Sequence, residues 1–171
     1  MTSKDAEDFG DFVRATGTQL HRQALLLTGD HHLAEDLTQT TYAKVYASWR
    51  RVSRADNPLA YARTTLLNAF LSHRRLRRSS EVPRDLHLDH IGPADSAPVD
   101  PATRLDLLAA LTTLSGLDRA VVVLRYWEDR SVADTARDLG LTETAVRTRS
   151  RRALQRLRPL VDADLTEETA S

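Results

Sequence analysis

No cysteine occurs among the 171 residues. That excludes disulfides, a thiol nucleophile and a zinc site ligated by cysteine, and with them the small secreted scaffold held by cross-links. Long apolar runs are missing too. The longest, residues 107–111 and 120–124, have five residues each, against the ~20 needed to span a bilayer. The opening Met1-Thr2-Ser3-Lys4-Asp5-Ala6-Glu7-Asp8 is acidic and lacks the apolar core of a secretion signal, so a cytoplasmic address is the expectation. Neither GxxxxGK[ST] nor GxGxxG is present, and Ser, His and Asp form no nucleophile elbow. Lysine is scarce, with only Lys4 and Lys44 among 24 basic residues. What remains is an ordinary globular composition, 41% hydrophobic and 28% charged, long enough for one or two small domains.

Net charge is zero, yet the charges are segregated. Residues 1–40 carry three basic groups and seven acids; residues 50–78 carry eight Arg and one acid, Asp56. Residues 79–141 turn acidic again, residues 142–158 hold six Arg against Glu143, and residues 159–171 are acidic. Two basic blocks on an otherwise acidic chain predict two places that meet a polyanion. Arginine suits bidentate phosphate and guanine contacts.

The periodicity is helical nearly throughout, and no stretch alternates as a strand does. Phe9, Phe12, Val13, Thr16, Leu20, Ala24 and Leu27 make one amphipathic face, ended by Gly29. Asp30 caps a second helix over about 31–49, lined by Leu33, Leu37, Thr41 and Val45. Asn57-Pro58 starts a third, with Ala62, Leu66, Ala69 and Phe70 as its buried stripe. Residues 79–101, broken by Pro83, Gly92-Pro93, Pro98 and Pro101, read as a linker. A second helical domain begins near Ala102, with capping boxes at Ser115-Gly116-Leu117-Asp118 and Ser131-Val132-Ala133-Asp134. Its last helix, after Gly140 and the cap Thr142, is expected to reach about Leu160, with Val146, Ala153, Leu154 and Leu157 facing the core and a frayed acidic end beyond. Trp49 and Trp127 are expected in core or rim packing.

A short helix, a glycine turn and a longer helix make a helix-turn-helix, whose second helix can lie in a major groove. Its base-facing candidates are Glu143, Thr144, Arg147 and Thr148, behind the cap Thr142; Arg149, Arg151, Arg152 and Arg156 stand where they reach phosphates. The first basic block has no such frame. By residue type it is either a nucleic-acid patch or a solvated helix end, though arginine beside aromatics and a polar loop suits splayed single-stranded bases. His31, His32, Glu35 and Asp36 have the spacing of a metal pair but equally that of first-turn caps, and no second ligand cluster accompanies them. No metal, no cofactor and no catalytic residue are expected.

The motifs then come to resemble a known family. Ala34-Glu35-Asp36-Leu37-Thr38-Gln39-Thr40-Thr41-Tyr42-Ala43-Lys44-Val45-Tyr46, followed by Asn57-Pro58-Leu59-Ala60-Tyr61-Ala62-Arg63, Leu67-Asn68 and the arginine cluster, is similar to region 2 of extracytoplasmic-function (group IV) sigma-70 factors. Leu124-Arg125-Tyr126-Trp127-Glu128-Asp129-Arg130-Ser131-Val132-Ala133-Asp134-Thr135-Ala136, then Leu139-Gly140-Leu141-Thr142, Ala145-Val146-Arg147 and Arg152-Ala153-Leu154, resembles region 4 of the same family, in its sigma-E-like subfamily. The likeness covers about residues 9–160.

That resemblance implies an all-α, two-domain promoter-specificity subunit of bacterial RNA polymerase without enzymatic activity. Region 2 would occupy residues 1–78, the linker 79–101, region 4 residues 102–160 and an acidic tail 161–171. Asp36, Gln39, Thr40, Thr41, Tyr42 and Lys44 would dock on the clamp helices of core polymerase. Arg54, Asp56, Asn57, Arg63, Thr64, Asn68, Arg74, Arg75, Arg77 and Arg78 would capture and melt the minus-ten element. Thr142, Glu143, Thr144, Arg147, Thr148, Arg149, Arg151 and Arg152 would read the minus-thirty-five duplex, with region 4 on the flap. The linker would thread toward the active-site and RNA-exit channels, and an anti-sigma factor is a further expected partner. Thr40 stands where the family usually has Glu, Ser115-Gly116 where it often has Pro, and Thr144 and Thr148 where Gly and Ser are frequent, so no base preference carries over. The alternative is a helix-turn-helix regulator that never binds core polymerase.

Overall fold

The computed structural model describes residues 3–79 and 101–168, with side chains over 3–77 and 107–160. Every described element is helical. Residues 80–100 of the expected linker and the side chain of Arg78 lie outside the described residues, while Ser79 and Pro101 belong to helices. The chain divides into two compact units, Met1–Asp89 and His90–Ser171.

The first unit contains α1 (Ser3–Thr28), α2 (His31–Ala47), the single turn α3 (Trp49–Val52) and α4 (Pro58–Ser79). α1, α2 and α4 pack on one another. Their common core is Leu20, Ala24 and Leu27 of α1, Ala34, Leu37 and Val45 of α2, and Ala62, Leu66 and Phe70 of α4, all buried. These positions recur at three- and four-residue spacing, so each helix buries one stripe. The boundaries follow local chemistry. Gly29 adopts φ 67° and the Asp30 carboxylate accepts from the Leu33 amide at 2.9 Å. Asn57 Oδ1 accepts from the Ala60 amide at 2.9 Å, closing the loop that leads into α4.

One boundary differs from the expectation of a continuous helix to Trp49. α2 stops at Ala47, and Ser48 (φ −111°) bonds back to Val45 O at 3.1 Å. Beyond the break, Trp49 and Val52 are both buried.

The second unit contains α5 (Pro101–Thr112), α6 (Gly116–Val122), a π turn (Val123–Trp127), α7 (Val132–Leu139) and α8 (Glu143–Glu168). α8 is the spine on which α5, α6 and α7 pack. Ser115 and Ser131 cap α6 and α7 by accepting from Asp118 N (3.2 Å) and Asp134 N (3.0 Å), and Thr142 caps α8 by accepting from Ala145 N (3.1 Å). Three expectations are corrected here. Leu154 is 42% exposed, because the inner face of α8 is the stripe Val146, Ser150, Ala153 and Leu157 and Leu154 lies about 100° round from Ala153. Trp127, expected in the core or at its rim, is not in the core: it is 48% exposed at the end of the π turn. The helix does not end near Leu160: Pro159 forfeits one amide bond, yet α8 runs through it to Glu168.

Gly140 takes φ +64°, and the Leu141 amide reaches back to Ala136 O at 2.8 Å, ending α7 in a Schellman turn. A Cβ built on Gly140 meets nothing within 4 Å. Gly140→Ala is therefore expected to cost only the left-handed backbone penalty, about 1–2 kcal/mol, read as a lower urea midpoint with unchanged slope.

Candidate nucleic-acid interface

The turn between α7 and α8 is fixed by an apolar triangle of Val121, Ala136 and Val146, closed by Val132, Leu139 and Leu141. This sets the start of α8 and so decides what faces outward. Thr142, Glu143, Thr144, Arg147, Thr148, Arg151, Arg152 and Arg156 are all exposed. Thr144, Arg147, Thr148 and Arg151 recur at three- and four-residue spacing, so they form one outward row. Glu143, one turn before Arg147, accepts from it at 2.8 Å. Arg149 does not join it. It is half-buried and its guanidinium pairs with Asp118 of α6.

Arg119 was not anticipated. It is 6% exposed and donates through Nε to Leu111 O (2.9 Å) and through one Nη to Thr112 O (3.3 Å) and Leu114 O (3.2 Å). It thus satisfies the carbonyls where α5 ends, a task left open by any helix C-terminus. Burial pulls its pKa below the ordinary arginine value. Periodicity marks position 119 as inward-facing but cannot say that a guanidinium should occupy it.

In the first unit, Arg54, Asp56 and Asn57 lie exposed on the loop before α4. Thr64, Asn68 and Arg75 are exposed along one side of α4, with Ser72 between them, and Arg77 is exposed beyond. Arg63 and Arg74 are half-buried at the edges of that strip; Arg63 donates to Gln19 Oε1 at 3.4 Å. Arg51 sits 5.8 Å above the ring of Tyr61 and donates to its hydroxyl at 3.2 Å. A polar strip, a cationic loop and a held aromatic ring therefore meet at one end of α4.

On α2, Asp36, Gln39, Thr40 and Lys44 are exposed on the outer side. Thr41 is corrected: it is fully buried and its hydroxyl donates to Leu37 O at 2.7 Å, so it belongs to the core behind that surface. Tyr42 is half-buried, shares a 2.9 Å hydrogen bond with Thr16, and has its phenol pKa raised by burial. An aromatic cluster backs the surface. Phe9 lies 4.8 Å from Tyr46 and 5.2 Å from Trp49 between ring centroids, and Phe12 lies 5.1 Å from Trp49.

Among the described residues no group of three or more His, Asp or Glu is placed to hold a metal. The His31 ring instead stands 5.1 Å from His21. Burial first, then the neighbouring His31, lowers the His21 pKa, while Glu35 of α2 works the other way. The sign is clear. Stability from this group is complete above its ordinary value of 6.5 and is lost as pH falls from there toward the lowered folded value. His21→Gln is expected to shrink the drop in melting temperature between pH 7.5 and pH 5; an unchanged drop would contradict it.

Among the described residues no helix is long and apolar enough to cross a membrane. Comparison with known proteins joins these observations. The sigma-70 region 2 family matches residues 12–80 and the sigma-70 region 4 family residues 104–157. The chain is 36% identical over 159 residues to the RNA polymerase sigma-E factor of Streptomyces coelicolor, covering 92% of this chain and 89% of that one. It is 34% identical over 144 residues to the extracytoplasmic-function sigma factor SigL of Mycobacterium tuberculosis, covering 81% and 80%. Among solved structures it is similar to the sigma factor RpoE of Bartonella quintana, crystallised with the anti-sigma factor NepR, at TM-score 0.70 and 29% identity over 92% of this chain and 99% of that one. The chain belongs to the extracytoplasmic-function group of sigma-70 RNA polymerase sigma factors. It serves transcription initiation, binds DNA through region 4, and is not an enzyme; its family partners are core polymerase and promoter DNA.

Proposed function

We propose that residues 1–78 dock on the polymerase clamp helices and open the minus-ten element, while residues 102–160 read the minus-thirty-five element as duplex on the flap. Residues 79–101 are the tether between them, and the complex works in the cytoplasm. The observation that carries this reading is the separation of surfaces: an arginine-bearing row on α8, a polar and cationic strip on the loop and α4, and a mixed face on α2 that carries Asp36 and Gln39 rather than arginine.

Each surface has a distinct chemistry. Thr144, Arg147 and Thr148 reach base edges from the start of α8, and Arg147 exchanges Glu143 for DNA on docking. Arg151, Arg152 and Arg156 follow along phosphates. Arg54, Asp56 and Asn57 meet unstacked bases on the loop, with Thr64, Asn68, Arg63, Arg74, Arg75 and Arg77 tracking the strand. Asp36, Gln39, Thr40, Tyr42 and Lys44 form the polymerase contact. An anti-sigma partner is proposed as well, since the Bartonella relative is solved bound to one.

The test separates the surfaces. Arg147→Ala should lower promoter-specific transcription about tenfold, as loss of one base contact worth 1–3 kcal/mol implies, while copurification with core polymerase is unchanged. Asp36→Ala and Gln39→Ala should weaken copurification first. A protein that binds promoter duplex but never core polymerase would instead be the helix-turn-helix regulator.

A further inference from the structure

We propose that Arg149 is a positioning residue, not a reader of DNA: its ion pair with Asp118 sets the orientation of the recognition helix α8. This rests on the reading of α8 as the minus-thirty-five element's reader.

The geometry separates Arg149 from its neighbours. Arg149 Nη lies 2.6 Å from Asp118 Oδ1, with only 32% of the arginine side chain and 17% of the carboxylate's accessible. Arg147, by comparison, is 61% accessible and pairs within its own helix. Along α8 the buried stripe runs Val146, Ser150, Ala153 and Leu157. Position 149 adjoins that stripe, three residues after Val146 and just before Ser150, so its side chain leaves the helix toward α6.

Asp118 is itself held. Its amide donates to the Ser115 hydroxyl at 3.2 Å, and its carboxylate sits in the first turn of α6, where the helix dipole favours an anion. The next residue, Arg119, grips the carbonyls at the end of α5. The end of α5, the start of α6 and the second turn of α8 are thereby joined in one chain of polar contacts. Packing of Val121, Ala136 and Val146 fixes how close α8 lies, but apolar contacts are weakly directional. The stripe sets which side of α8 faces outward; a 2.6 Å charged contact is directional and narrows the rotation about the helix axis that the stripe leaves. That rotation decides whether Thr144, Arg147 and Thr148 point at base edges together. The pair also neutralises itself, so Arg149 adds little attraction for phosphate.

The experiment uses the full chain bound to core polymerase, on one promoter duplex and one duplex with a scrambled minus-thirty-five element, across a salt series. Arg149→Ala and Asp118→Ala should each lower the ratio of specific to scrambled affinity about tenfold, with the double variant no worse than either alone, as expected for one shared interaction. The salt slope of Arg149→Ala should equal that of the native protein. Arg149→Lys, which keeps a cation within reach of Asp118, should recover most of the selectivity. If Asp118→Ala leaves or raises promoter affinity while Arg149→Ala lowers it and reduces the salt slope by about one, Arg149 contacts DNA and the proposal falls. Additive losses, or no loss in either variant, overturn it too. If an alanine variant does not fold, Asp118→Asn decides: positioning predicts lost selectivity, and reading predicts none. A native complex that ignores the minus-thirty-five sequence would instead refute the assignment of α8 as reader.

Discussion

Arg119→Met should destabilise the second unit by about 3 kcal/mol or more. Methionine matches the length of the arginine stem but donates nothing. The carbonyls of Thr112 and Leu114 lose their guanidinium partner, and Leu111 O keeps only the Leu114 amide at 3.1 Å, in a site where Arg119 is 6% exposed; each buried acceptor left unsatisfied costs about 1–3 kcal/mol. Lysine is no substitute. Its single ammonium cannot span three carbonyls as a planar fork does, so Arg119→Lys should recover less than half of the loss. Urea unfolding of both variants, followed by far-ultraviolet circular dichroism, measures this. A change under 1 kcal/mol in Arg119→Met would show that the carbonyls find water instead.

Trp49→Ala should cost the first unit about 3–5 kcal/mol, the range for truncating a large buried aromatic. Trp49 is 4% exposed and lies within 5.2 Å of both Phe9 and Phe12 by ring centroids. Its indole nitrogen is buried with no hydrogen-bond partner, so the loss is one of packing rather than of a polar contact. Trp49→Phe should therefore keep most of the stability. The functional consequence lies further along the chain. α3 delivers the backbone into the loop of Arg54, Asp56 and Asn57, so a loosened Trp49 should also slow promoter opening. Chemical unfolding gives the first quantity, and permanganate reactivity of minus-ten thymines in the assembled complex gives the second.

What could be read from the residues was largely what is local. Asp30, Asn57, Ser115, Ser131 and Thr142 cap helices where the spacing predicts, and Gly140 takes the left-handed turn that ends α7, because a cap involves residues within one turn of each other. The core stripes were legible for the same reason.

Long reach and hidden polarity were not. Arg119 and Arg149 look like their neighbours in a charge count, yet one caps a different helix and the other pairs across 31 positions of sequence. Spacing puts Thr16 and Thr41 on apolar stripes, but Thr28 and Thr38 count only as polar by type. Thr16, Thr28, Thr38 and Thr41 are nevertheless all buried, because each hydroxyl donates to the carbonyl four residues earlier and leaves a methyl-bearing surface to pack. Neither the π turn nor the break at Ser48 is marked by a proline, a glycine or a side-chain cap. Outward placement of Thr144, Arg147, Thr148 and Arg151 follows from the α8 stripe, but the identity of the bases they meet does not.

The most direct measurement is run-off transcription with purified core polymerase on a library of genomic promoter fragments. The account predicts discrete start sites that vanish when either the minus-thirty-five or the minus-ten element is scrambled. A polypeptide that fails to associate with core, or that leaves core starting at random, would contradict it.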